Sequence, residues 1–293
     1  MSNSSALLNK RREFETAEPI RNGAQLRVLM RALDVEYTED SKTVWASVAR
    51  TAPPYVTPQL IAEMGHLSAQ IRAGAYGALR HRVISSRKNN CFSLGGDLQL
   101  FLSLISVGDR DGLFTYGKAA IDEVWSSVTG CGLKDLVTIA LVNGEAQGGG
   151  FEAALACHVL VAEEGCHFGF PEALFGLFPG MGGLPLISRR CGHDVAKRMM
   201  QKSNRYTAEF LHEIGIVDYL VRTGTGIEFV KELVRANAIP CSALRQEQLR
   251  SLSYSQLLES VDEWVTCAMT LSGKHQRSMR YFVEAQRHAF QIA

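Results

Sequence analysis

The chain is short of almost everything that would mark a membrane, secreted or nucleotide-binding protein. No apolar run in its 293 residues reaches the roughly 18 needed to span a bilayer. The opening MSNSSALLNKRREFETAEP has no apolar core of signal-peptide length, so a cytoplasmic protein is expected. The first ~12–20 residues are polar and are expected to be flexible. Charge is balanced at a net +1, which gives nucleic acid or a membrane no electrostatic hold as main partner. The seven cysteines are odd in number and never spaced as CxxC. That excludes a disulfide frame and points to a reducing compartment. The eight histidines show no ligand spacing, so no metal is expected. GxGxxG and GxxxxGK[ST] are both missing, which weighs against dinucleotide and nucleotide-phosphate binding. There is no Pro/Gly/Ser-rich linker and no repeat of fixed period.

What is present reads as an α/β chain. Residues 35–49 form two short strands around a polar turn, and 57–74 form a helix stopped by Gly74. A strand over 79–86, an apolar helix over 97–109 and a longer amphipathic helix over 110–130 follow. The run 135–144 is apolar enough for a strand buried on both faces, and a glycine triplet, a short helix and a strand over 158–165 come next. Strand, turn and helix thus recur in an α/β layout. Beyond residue 180 the pattern is nearly all helical, including TAEFLHEIGIVDYLV. Residues 1–220 are therefore taken as the core and 221–293 as a helical segment packed on it.

Two glycine-rich turns stand out: FSLGGD (92–97) and NGEAQGGGFEAALACH (143–158). Each joins a strand to a helix. Glycine permits a tight turn and close approach of backbone to a ligand. The first N–H groups of a helix have no internal partner and carry partial positive charge. Two such turns can therefore hold one oxyanion, although glycines also serve plain tight turns. Glu152 and Glu172 each lie just past such a turn among Phe, Ala and Leu. Each could simply complement a helix N-terminus. Apolar neighbours instead predict burial, which raises a carboxyl pKa and suits one carboxyl to take a proton while the other gives one. Glu145, in the polar turn before the triplet, is expected to face solvent.

FSLGGD, NGEAQGGGFEAALACHVLVAEEGCHFGFPEALFGLFPGMGG and YTAEFLHEIGIVDYLV together resemble the crotonase (enoyl-CoA hydratase/isomerase) superfamily, in family order over about residues 79–221. The resemblance implies a ββα spiral core with C-terminal helices and a trimer. It places the thioester oxygen on the N–H groups of Leu94 and Gly149, and the acid/base pair on Glu152 and Glu172. Gly95, Gly148, Leu98, Phe151 and Leu174 would contact substrate. The wording of these motifs, with ESVDEWVTCAMTLSGKHQRSMRYFVEAQ, is further similar to the diffusible-signal-factor synthases of the RpfF type.

That narrower resemblance implies dehydration of a 3-hydroxyacyl chain on acyl carrier protein to a cis-2-enoyl thioester, then hydrolysis to the free fatty acid signal. No cofactor is implied beyond the phosphopantetheine, or CoA, that carries the acyl group. Acyl carrier protein is the implied partner, and members of this type also bind a cognate sensor protein. Arg87 and Lys88 could meet the phosphopantetheine or its carrier, or simply be solvated. The apolar helix over 97–107 could wall an acyl chain besides packing the core. The alternative is an ordinary enoyl-CoA hydratase of fatty-acid degradation; a non-catalytic module is disfavoured because both glutamates are kept.

Overall fold

The computed structural model describes residues 20–22, 25–201, 203–237 and 239–292. The segment expected to be flexible lies outside them. In chain order the strands are β1 (Ile20–Asn22), β2 (Gln25–Leu29), β3 (Leu33–Thr38), β4 (Thr43–Val48), β5 (His81–Ser86), β6 (Cys91–Ser93), β7 (Val137–Val142), β8 (Glu145–Gln147), β9 (Val159–Glu163), β10 (His167–Gly169), β11 (Arg205–Thr207) and β12 (Tyr219–Val221). They form two sheets. The larger runs β1-β2-β3-β4-β5-β7-β9-β12, and the smaller runs β11-β10-β8-β6.

From β5 onward the chain alternates between them. β5, β7 and β9 pair in parallel in the large sheet, and the short strand after each pairs in parallel in the small one. A helical element follows each pair: α2 (Leu98–Ser106) and α3 (Arg110–Val128) after β6, α4 (Gly149–Leu155) after β8, and a 3-10 turn (Pro171–Phe175) after β10. This is the ββα spiral. Its strands read as continuous apolar runs because both faces are covered: all five residues of β9 and all but the first of β7 are buried. A hairpin of β3 and β4 and the helix α1 (Pro58–Arg72), whose Thr57 cap accepts the Leu60 N–H, close one end.

The later helices are α5 (Gly183–Cys191), α6 (His193–Gln201), α7 (Ala208–Glu213), α8 (Gly226–Ala236), α9 (Pro240–Arg250), α10 (Tyr254–Met269) and α11 (Gly273–Ile292). One apolar core runs from Ile61 on α1 through Phe151 and Leu160 to Val261 on α10 and Val283 on α11. One expectation is corrected. TAEFLHEIGIVDYLV is not a helix throughout: after α7 the chain passes Gly215 in left-handed geometry and ends in β12, paired parallel to β9. The periodicity of the first half carried over wrongly into a three-residue edge strand. Among the described residues no helix is long and apolar enough to cross a membrane.

Candidate active site

The two glycine turns face each other. A side chain on Gly95 would meet the Gln147 carbonyl at 2.9 Å and the Gly149 nitrogen at 3.4 Å, so only glycine lets the turns close. Which N–H groups point inward follows from the peptide planes. The Leu94 N–H donates to the Pro54 carbonyl at 2.7 Å and is therefore not available to a substrate, which corrects its expected role. The Gly95 carbonyl accepts from the Val56 N–H at 2.8 Å. In a trans peptide the N–H opposes the C=O, so the Gly96 N–H points the other way, toward Gly149. A Cβ built on Gly149 would lie 3.9 Å from the Gly96 nitrogen. Gly149 opens α4, so its own N–H has no intrahelical acceptor. Gly96 and Gly149 are the two donors of a candidate oxyanion hole.

Glu152 sits one turn into α4 and is 1% exposed. Its Oε1 accepts the N–H groups of Met181 and Gly183, each at 2.8 Å. The FPGMGG stretch thus orients Glu152, a role the sequence reading missed although the glycines were visible. Burial pushes the carboxyl up to about 7, and those two donors restrain the rise. Glu172 lies in the 3-10 turn started by Pro171. Its residue is half-buried, but its Oε2 is sealed from solvent and without a partner. Burial first, and then the charge of Glu152, push its carboxyl up to about 8. Its Oε1 lies where a Cβ of Gly148 would come within 2.3 Å, and Gly148 has a φ of +50°. The glycine before the donor Gly149 is therefore also the seat of Glu172.

The hole and both carboxylates border a cavity of about 60 Å³, walled otherwise by apolar groups such as Leu98, Phe101, Phe175, Leu177 and Trp264. Trp264 of α10 packs edge-on to Phe101, centroids 5.1 Å apart. A second apolar cavity of about 90 Å³ adjoins it, and Met181, Ala120 and Gly149 line both. Leu98 thus borders the site as expected. Leu174 does not: it is 53% exposed, and Phe175 and Leu177 line the cavity instead. Phe151 is fully buried but stacks on Phe170 and lies tilted against Phe168, away from the lining. Trp264 and Val261 lie in the C-terminal stretch that carries the narrower resemblance, but only tertiary packing shows that they line the cavity.

Neither basic loop residue is free for a substrate. Arg87 pairs with Asp34 at 2.7 Å and with Glu36. Lys88 is buried, donates to the Arg50 carbonyl at 2.8 Å and lies over the Phe290 ring. Glu145 is half-buried and paired with Arg205 rather than free in solvent. Among the described residues no group of three or more His, Cys, Asp or Glu could hold a metal.

A buried carboxylate pair beside two inward N–H donors on a ββα spiral is the architecture of a hydratase/isomerase-type enzyme. The enoyl-CoA hydratase/isomerase family model matches residues 55–292, and the chain belongs to that family. It is 34% identical over 118 residues to 2,3-dehydroadipyl-CoA hydratase of Escherichia coli, covering 40% of this chain and 46% of that protein. It is 30% identical over 149 residues to the peroxisomal bifunctional enzyme of Cavia porcellus, covering 51% and 19%. The chain thus spans less than half the length of these relatives. Among solved structures, DspI of Pseudomonas aeruginosa superposes with a TM-score of 0.58 at 26% identity, covering 74% of this chain and 84% of that one. An enoyl-CoA hydratase from Bacillus halodurans gives 0.65 at 19%, covering 85% and 99%.

Proposed function

We propose that this enzyme dehydrates a 3-hydroxyacyl thioester on acyl carrier protein to the cis-2-enoyl thioester and hydrolyses it to a free fatty acid signal, as a diffusible-signal-factor synthase. The observation that carries the reading is the pair Glu152 and Glu172, both with raised pKa, set against two unoccupied N–H donors inside an apolar cavity. The Gly96 and Gly149 N–H groups hold the thioester oxygen and acidify C2. With one proton between the carboxyls, Glu152 is the ionised member because two N–H groups stabilise its charge; Glu172 holds the proton. In dehydration ionised Glu152 takes the C2 proton, and Glu172 gives its proton to the departing 3-hydroxyl, which leaves as water. That inverts the pair, with Glu152 protonated and Glu172 ionised. Ionised Glu172 then takes a proton from water as it attacks the carbonyl and gives it to the departing thiolate, and transfer of the Glu152 proton to Glu172 restores the pair. The apolar walls suit a fatty acyl chain. The likeness to DspI, at 26% identity over 74% of this chain, supports the reading. No metal or cofactor enters these steps. A cytoplasmic, trimeric enzyme that meets a sensor protein fits the same reading.

The second reading is hydration in fatty-acid degradation, favoured by the 34% identity to a CoA hydratase. Mass spectrometry of products from defined 3-hydroxyacyl carrier proteins separates the two. A free cis-2 acid is expected, and its loss in Glu152→Ala and Glu172→Ala. Reversible hydration of trans-2-enoyl-CoA with no acid released would sink the proposal.

A further inference from the structure

Gln286 lies on α11, far in sequence from either glycine turn, and is 5% exposed. Its Nε2 donates to the carbonyls of Leu94, at 3.1 Å, and Gly96, at 2.9 Å. Both partners are acceptors only, so the amide orientation is fixed by chemistry: the NH2 must face them. Val283 and Met279, buried on the same face one and two turns earlier, seat the helix in the core. The Leu94 and Gly96 carbonyls flank the peptide whose N–H is a donor of the hole. The carbonyl of that peptide is held from the other side by the Val56 N–H. The turn itself contains two glycines, one at φ +84°, and has little torsional preference of its own. Without external restraint its peptide plane can rock, and a preorganised donor loses its value when its direction drifts.

We infer that Gln286 is a positioning residue that locks the Gly95–Gly96 peptide so that the Gly96 N–H aims at the thioester oxygen. It touches no substrate; it acts through the turn. The inference deepens the proposed function and rests on its oxyanion hole, but not on whether the product is a hydrated thioester or a free acid.

The test uses Gln286→Met, which keeps shape and removes both donors. Gln286→Glu, which donates one bond only when protonated, is the second variant. The probe is a conjugated dienoyl-CoA, whose absorption moves to longer wavelength when its carbonyl is polarised. Saturated wild-type enzyme is expected to show the red shift. Gln286→Met is expected to lose most of it and to turn over roughly 10- to 100-fold more slowly, less than outright deletion of a hole donor, with KM changed less than about threefold. Gln286→Glu is expected to lie between, with activity falling as pH rises and its donor is lost. A red shift and kcat retained in folded Gln286→Met overturn the role of Gln286 alone, even if its melting temperature drops. No red shift in saturated wild-type enzyme overturns the hole, and the positioning role with it.

Discussion

Glu152 and Glu172 share a cavity but differ in what surrounds their oxygens. Two N–H groups converge on one oxygen of Glu152, and none reaches the sealed oxygen of Glu172. The pair therefore titrates as a unit, near 7 and 8. Only the singly protonated pair has both an acid and a base, so kcat/KM is expected to follow a bell with its maximum between pH 7 and 8. Glu172→Gln should abolish the bell's acid–base pairing and cost roughly 10²–10⁴ in kcat, read in the same pH series. Both glutamates could be read from the sequence because a carboxylate among Ala, Leu and Phe is anomalous on its own. Leu94 could not be excluded that way. The direction of its N–H is decided by Pro54, forty residues earlier, and no local pattern reports that bond.

At the scale of elements, the turn into α4 does two jobs with adjacent glycines. Gly149 offers its N–H, and Gly148 leaves room for Glu172. Gly148→Ala puts a methyl on backbone at φ +50° and against Glu172 Oε1. A loss of at least about 100-fold in kcat is expected, since a displacement of even 1 Å at a reacting group can cost that much. The folded spectrum should persist; full activity in a folded Gly148→Ala would show that Glu172 is not held by this turn. The strand-turn-helix order of β7, the glycine triplet and α4 was legible from apolar runs punctuated by glycine. The three-residue strands β6, β8 and β10 were not, because they are too short to show alternation and exist through pairing with one another.

For the whole molecule, the carboxyl pair is a standing cost. A group whose folded pKa lies above its unfolded value destabilises the fold increasingly as pH rises from the unfolded pKa, near 4.5, to the folded one. Glu172→Gln removes that cost. Its melting temperature is expected to exceed the wild type's by about 2–5 °C at pH 8 and to match it near pH 4.5. Equal melting curves at pH 8 would show that Glu172 is not desolvated. The sequence also marked a helical C-terminal run, yet gave no sign that its Trp264 and Val261 face the chemistry. Helical periodicity identifies an apolar face without saying what it covers.

The cavity takes its floor from the spiral and a wall from α10, near the end of the described chain. Both parts belong to one apolar core. Without the α10 wall, water would fill the space that Trp264 occupies beside the carboxyls and the N–H donors. In water those dipoles are weak. The strength of the two N–H donors is therefore set in part by an indole far along the chain from either glycine turn.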